Sequence, residues 1–373
     1  MDPILSVVVP TRSRPEKLRA CLDLLQLQSP DTPAFEVVVS LDGPCPESQA
    51  VCEEPREGLE VVVVEAPREG IAVAKNAAIE RSRGHLLLLI NDDILPEPEF
   101  VGSHIRAHEE REAAGLGPAM VLGHSPWLMP EEAEPGEAGG VTLFDRLLAQ
   151  SSMIFFYDKM ITEDGTVLGD RDTDWGYRHA WNLNLSLPTS LACVVGGFRP
   201  ALANCCYEDI EFAWRVNRSV DGGVPVLFRP EARAPHDHRY TPRGYLEREL
   251  RLGYAAFGFA KVSPECAAEV FLLELDSVDE LGYAARFIAH EGRAAGRLRE
   301  GFESLAQLPP SAAGEGEAGR LMLRLLEQQQ LMLKRVAFRR GLILAAEGGR
   351  IEGLFHPLDE LPTEPGLRPR AAV

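Results

Sequence analysis

Apolar residues in this chain come in short runs, each followed by a polar cluster and then by apolar positions at helical spacing. Ile4 to Val9 is a β-rich run stopped by Pro10 and followed by Thr11-Arg12-Ser13-Arg14. Ser13 has the character of a helix N-cap, with Pro15 near the first helical position and Glu16 in the first turn. Leu18, Cys21, Leu22, Leu24 and Leu25 then recur at helical spacing. Phe35 to Leu41 predicts a second strand, ending at Asp42-Gly43-Pro44. Val61 to Val64 predicts a third, leading through Arg68-Glu69-Gly70 into a helix with Ala72, Ala74, Ala77, Ala78 and Ile79. Leu86 to Ile90 reads as a fully buried fourth strand, and Asn91-Asp92-Asp93 follows at once. Repeated strand-then-helix units predict an α/β fold: a mostly parallel sheet with right-handed crossovers, flanked by helices.

The pattern breaks after Met120-Val121-Leu122-Gly123. Pro130 to Gly140 is rich in Pro, Glu, Gly and Ala, a composition that predicts a mobile loop or lid. Phe144 to Trp181 is aromatic and acidic without a clear period. Alternation returns at Leu183 to Leu187, a strand. Gly196-Gly197-Phe198 follows, and Tyr207-Glu208-Asp209-Ile210-Glu211 opens a helix through Phe212, Trp214 and Val216. Val224 to Phe228 reads as another strand, and His236-Asp237-His238 comes shortly after. From Tyr245 onward the pattern is helical, with a Pro/Gly/Ala break at 307–319 and an amphipathic helix from Leu321 to Val336. The expected organisation is one domain over 1–260 and a helical C-terminal extension over 261–373. The first comprises a nucleotide-binding half (1–123), an irregular insert (124–182) and an acceptor half (183–260).

Charge and cysteine content narrow the function classes. A net charge of -19 argues against a general nucleic-acid surface, which needs clustered Lys and Arg. The seven cysteines form no C-x-x-C and suit a reducing compartment. The N-terminal apolar stretch is too short and too acidic for a secretory signal, and no run reaches transmembrane length. A cytoplasmic protein is the expectation. Lys334, Arg335, Arg339 and Arg340 surround Val336, Phe338, Leu342 and Ile343. Such a basic amphipathic helix could touch a membrane surface, or could pack its apolar face on its own domain.

Three successive strands end in polar loops on one sheet edge: Thr11 to Arg14, Asp42-Gly43 and Asn91 to Asp93. Open α/β sheets bind ligands beyond the carboxyl ends of their strands, so this edge is a nucleotide-sized rim. Adjacent carboxylates there suit a hard divalent ion such as Mg2+ or Mn2+. No G-x-G-x-x-G follows the first strand and no P-loop is present, so the phosphates of a bound nucleotide would be neutralised through metal.

With these motifs in order, the chain resembles the family 2 glycosyltransferases of the GT-A fold over roughly residues 4–260. Val7-Val8-Val9-Pro10-Thr11 is similar to that family's first strand and nucleotide loop, and Asp42 stands where the family places the acid that reads the base. Gly70, Lys75 and Asn76 resemble its G-x-x-x-A-R-N helix, with Lys for Arg, and Asn91-Asp92-Asp93 its D-x-D element, with Asn for the first Asp. Asn184 to Leu187, Gly196-Gly197-Phe198 and Glu208-Asp209 resemble its acceptor strand and catalytic loop, and His236 or His238 its late metal-binding His. The resemblance implies a metal-dependent, inverting transfer of a sugar from a nucleoside-diphosphate donor to a hydroxyl-bearing acceptor. That acceptor could be a glycan, a lipid-linked sugar or a small molecule. Pro10, Thr11, Arg12, Arg14, Asp42, Gly70, Lys75, Asn76, Asn91 and Asp92 would then serve the donor. Asp93, with His236 and His238, would hold Mn2+ or Mg2+. Asp209 would be the general base and Glu208 would orient the acceptor. UDP is the first expectation for the nucleotide, because Asp42 could accept from the uracil imide N–H, although the same carboxylate could serve other bases. Trp175, Tyr177 and Trp181 could form a sugar platform or belong to the core. Two other classes share much of this pattern: a nucleotidyltransferase, for which Thr11-Arg12-Ser13-Arg14-Pro15 is a poor phosphate loop, and a non-catalytic nucleotide-sugar-binding protein.

Overall fold

The computed structural model describes residues 2–130, 140–203, 206–314 and 316–349. In chain order the elements are β1 (Leu5–Thr11), α1 (Pro15–Gln26), β2 (Phe35–Asp42), α2 (Pro46–Glu53), β3 (Glu60–Ala66) and α3 (Ile71–Arg81). Next come β4 (Leu86–Ile90), α4 (Phe100–Ala113), β5 (Met120–His124), α5 (Leu143–Ala149), β6 (Asn184–Pro188) and α6 (Thr189–Val194). The last are α7 (Glu208–Asn217), β7 (Val226–Arg233), α8 (Pro242–Val262), α9 (Pro264–Phe271), α10 (Val278–Ala306) and α11 (Glu317–Ala346). The expected lid residues 131–139 lie outside the described residues.

The seven strands form one sheet in the order β3-β2-β1-β4-β6-β5-β7. Neighbouring pairs are parallel except those made by β6, which runs antiparallel between β4 and β5. β1 and β4 are apolar nearly throughout because helices cover both faces of a parallel sheet. β3 is the exception, with exposed Glu60, Val63 and Glu65 at the open edge, where charge discourages further pairing. Asn184 and Ser186 supply the polar half of the β6 alternation and are fully buried. They are satisfied by histidines of α4: His104 contacts Asn184 Oδ1 at 2.8 Å and Ser186 Oγ at 2.9 Å, and His108 reaches the same hydroxyl at 2.8 Å. Burial pushes His104 down to about 4 and His108 to about 3, so both are neutral core residues.

α1 starts as the Pro15 and Glu16 signals predict. Ser13 is not its cap: it adopts a left-handed φ of 53°, and Arg14 takes the N-cap position without capping the helix through its side chain.

The chain forms two compact units, Met1–Leu128 with Leu148–His238, and Met129–Leu147 with Arg239–Val373. The division between these units falls before α8, and residues 140–147 group with the second unit. α8 belongs there because it crosses α11 at glycines on both helices. A Cβ on Gly253 would lie 1.8 Å from the Phe338 carbonyl oxygen, and one on Gly341 would lie 1.9 Å from that of Leu250. Asp145 is tied into this unit by Arg239 at 2.7 Å. The apolar stripe of α11 (Leu326, Leu333, Val336, Leu342) is buried. Lys334 stands 3.9 Å from Glu249, and the Arg339 guanidinium lies over the rings of Tyr283 and Phe287. The self-packed reading of this basic helix is the one the structure carries. No helix among the described residues is long and apolar enough to cross a membrane.

The helix crossing is directly testable. Gly341→Ala should destabilise the protein by ~1–3 kcal/mol, because backbone cannot yield to the new methyl. Gly258→Ala, where nothing stands within 4 Å, should stabilise it by ~0.4–1 kcal/mol through the unfolded state. Urea unfolding of both variants checks the pair, and equal signs would refute the close crossing.

Candidate active site

Strand register aligns the polar loops. Val8 pairs with Leu89, so three residues further Thr11 stands level with Asp92. Thr11 pairs with Leu41 on the other side, next to Asp42. The Thr11 hydroxyl donates to Asp92 Oδ2 at 2.6 Å. Arg14 spans both carboxylates, donating from Nε to Asp92 Oδ2 at 3.2 Å and from Nη1 to Asp93 Oδ2 at 2.8 Å, and from Nη2 to Asp92 Oδ1. Asp42 Oδ1 accepts from the Gly70 N–H at 3.0 Å, and its Oδ2 lies 3.5 Å from Arg12. Pro10 is buried in β1, and Asn91 is half-buried.

The segment after β7 returns to the same edge. Leu95 N–H donates to the Pro235 carbonyl at 2.8 Å, His236 N–H to Pro126 at 2.8 Å, and Asp237 N–H to Asp93 at 2.7 Å. Both histidine rings thereby face Asp93, His236 Nε2 at 3.3 Å from Oδ1 and His238 Nδ1 at 3.3 Å from Oδ2. The two rings stack at 5.5 Å, and His236 also stacks on Trp127 at 4.9 Å. Lys17 pairs with Asp237 at 2.5 Å, between the two histidines. Neither Trp127 nor Lys17 carries a motif that would have marked it in the sequence.

One ligand atom from each of Asp93, His236 and His238 lies within 4.8 Å of the others. Asp93 Oδ1 and His236 Nδ1 are buried without a hydrogen-bond partner. A carboxylate and two imidazoles form a donor set that Mn2+ or Zn2+ accepts readily and Mg2+ less so. The residues present therefore fit a divalent cation. Burial pushes Asp92 up to about 6 despite Arg14. Burial acts the same way on Asp93, but contact with His236 and His238 outweighs it and holds that carboxyl well below the usual range.

A second cluster forms where α7 begins. Lys75, on α3 and fully buried, donates to Asp209 Oδ1 at 2.7 Å and to Glu208 Oε1 at 3.3 Å. Asn182 donates to Asp209 from its side chain at 2.9 Å and from its backbone at 3.2 Å. Asn76 clamps the Phe198 backbone, accepting from its N–H at 2.7 Å and donating to its carbonyl at 2.8 Å. Gly197 lets that clamp close: its φ is 68°, and a Cβ there would come within 2.5 Å of Asn76 Oδ1. Lys75 and Asn76 thus address α7 and the Gly196-Gly197-Phe198 loop, not the strand-end loops. Glu211 is taken by Arg199 at 2.7 Å and Arg215 at 2.8 Å. Trp181 packs edge-on to Tyr157 in an aromatic core, and Trp175 donates its backbone N–H to Val226 at 2.9 Å.

Burial, and then the Asp209 charge, push Glu208 up to about 8 from an ordinary 4.5. The folded state therefore binds a proton that the unfolded state releases, so stability falls as pH rises from about 4.5 to about 8. Glu208→Gln should flatten that part of a melting-temperature profile, and an unchanged slope would refute the assignment.

Residues 6–182 match the sequence model of glycosyl transferase family 2. Validoxylamine A glucosyltransferases from Streptomyces hygroscopicus subsp. jinggangensis and subsp. limoneus are each 29% identical over 252 residues, which is 64% of this chain. The chain spans only 57% and 53% of those relatives. Among solved structures, a mannosyltransferase from Pyrobaculum calidifontis in complex with GDP-Man and Mn2+ matches at a TM-score of 0.53 and 16% identity. That match covers 94% of this chain and 89% of the other, a likeness of fold. Over residues 6–182 this chain is similar to glycosyl transferase family 2, a likeness that its GT-A sheet and aligned strand-end carboxylates share.

Proposed function

We propose that this protein is an inverting, metal-dependent glycosyltransferase acting on a nucleoside-diphosphate sugar, with UDP as its nucleotide. The observation that carries the reading is the convergence of Asp93, His236 and His238 at the strand edge that also presents Thr11, Arg14 and Asp42. A divalent ion held by those three residues would supply Lewis-acid stabilisation of the charge on the departing diphosphate. Asp42 would accept from the base, with Gly70 fixing its carboxylate. Pro10, Thr11, Arg12, Asn91 and Asp92 would line the nucleoside, and Arg14 would face the phosphates.

Transfer is a single displacement. The acceptor hydroxyl oxygen bonds to the anomeric carbon, its proton passes to Asp209, and the sugar–phosphate bond breaks with its electron pair on the diphosphate. Attack opposite the leaving group inverts the anomeric centre. Glu208, beside the base, would orient the acceptor. The glucosyltransferase relatives make UDP-glucose the first donor to try.

The test is release of nucleoside diphosphate from a panel of UDP-, GDP- and TDP-sugars with Mn2+ and with EDTA. Release from UDP-sugars that EDTA abolishes is expected. Release of pyrophosphate from a nucleoside triphosphate and a sugar phosphate would instead identify a nucleotidyltransferase.

A further inference from the structure

We propose that Lys75 is a positioning residue for the base: its buried ammonium fixes Asp209 as the carboxylate that receives the acceptor's proton, leaving Glu208 as the neutral neighbour. The inference rests on the reading of Asp209 as that base. It departs from the donor-binding role that the helix motif implied for Lys75.

The geometry gives the cation no alternative. Lys75 is 1% exposed, and its Nζ meets Asp209 Oδ1 at 2.7 Å, Glu208 Oε1 at 3.3 Å and the face of Phe198 at 4.9 Å. An ammonium so placed is stable only beside a negative charge. Two acids face one cation, so a second negative charge would be uncompensated and buried. The Asp209 side chain is 27% exposed and that of Glu208 only 6%, so burial opposes a charge on Glu208 the more strongly and the proton belongs on the deeper acid. Asn182, donating to both Asp209 oxygens, completes the orientation. Glu211, the remaining acid of that helix turn, is already paired with Arg199 and Arg215 and does not compete for Lys75. The next residue, Asn76, locks the Phe198 backbone whose ring covers the ammonium, so α3 sets the whole cluster.

The test compares the full chain with Lys75→Met, Lys75→Arg and Asp209→Asn, following nucleoside diphosphate release with Mn2+ from the best donor of the panel across pH 5 to 9. Lys75→Met should lower kcat by ~10-fold or more and move the acidic limb of the kcat/KM profile upward by about 1 to 3 units, with donor KM changed less than about twofold. Lys75→Arg should return the limb, because the charge is restored. If Asp209→Asn is inactive while Lys75→Met keeps the wild-type limb and rate, the positioning role is wrong and the base reading stands. Normal turnover by Asp209→Asn overturns both. Melting curves decide the matter if no donor in the panel is turned over. Relative to wild type, Lys75→Met should gain melting temperature on acidification from about pH 8 to about pH 5, since protonation relieves its uncompensated acids. Lys75→Arg should not gain, and adding Asp209→Asn to Lys75→Met should cancel the gain. A melting temperature lowered equally at every pH would mean that Lys75 only fills space.

Discussion

Asp209→Asn is expected to lower the rate of sugar transfer by ~10^2- to 10^4-fold, the range that a positioned general base contributes. Asparagine keeps the shape, and its one amide oxygen can still accept from Lys75 and the Asn182 side chain, but it cannot take a proton at neutral pH. The lost interaction exists mainly in the transition state, so kcat should fall while donor and metal affinity stay near wild type. The fold should survive, because Glu208 can release its proton and serve as the counter-ion of Lys75. A helix-capping role makes the opposite prediction, and the structure gives it little room: the N-cap position of α7 is held by Tyr207, not by Asp209. Stopped assays at saturating donor, beside melting of the same variant, separate the two. Near-wild-type turnover would move the base to Glu208. Glu211 is paired with Arg199 and Arg215, Asp174 accepts from the backbone of Gly176 and Val226, and Asp172 lies at the surface.

The first four strands were legible because a parallel sheet covered on both faces requires uninterrupted apolar runs, and each run ended at a turn signal. The same ends marked the carboxylates of Asp42, Asp92 and Asp93, since a strand's end is where its polar groups can meet a ligand. The direction of β6 was not legible. Its alternation predicts a strand, but pairing partners depend on the long path between β5 and β6, which carries no period. The buried Asn184 and Ser186 make sense only once His104 and His108 are known to lie above them.

The Lys75-Asn76 pair shows another limit. Motif order placed it with the donor, yet both side chains reach elements more than a hundred residues away, at Phe198 and at Glu208-Asp209. The spacing along a helix tells which residues share a face, not what that face meets. Asn182, the other partner of Asp209, was missed because an Asn before a strand is an ordinary turn residue. The division between the two compact units was not legible for a related reason. Helical periodicity is the same on either side of residue 260, whereas the glycine crossing of α8 and α11 is a tertiary fact.

Asp93→Ala should weaken Mn2+-dependent binding of UDP by ~10^2-fold or more, beyond the ~10- to 100-fold typical of losing an outer partner of a metal site. The substitution removes the one carboxylate that both His236 and His238 face, leaving two neutral-capable imidazoles that bind a hard or borderline ion poorly alone. It also frees the Arg14 Nη1 that now donates to Asp93, which by itself would favour a phosphate. UDP binding measured without metal should therefore change little or improve, while binding with Mn2+ collapses. That opposition distinguishes loss of a ligand from general damage to the site. Calorimetric titrations of UDP with Mn2+ and with EDTA, on wild type, Asp93→Ala, His236→Ala and His238→Ala, report it. Each histidine variant should lose less than Asp93→Ala, because its partner imidazole and the carboxylate remain. An Asp93→Ala protein that melts lower but binds UDP with Mn2+ as the wild type does would show that Asp93 only anchors Arg14 and the histidine loop, and the metal assignment would be withdrawn.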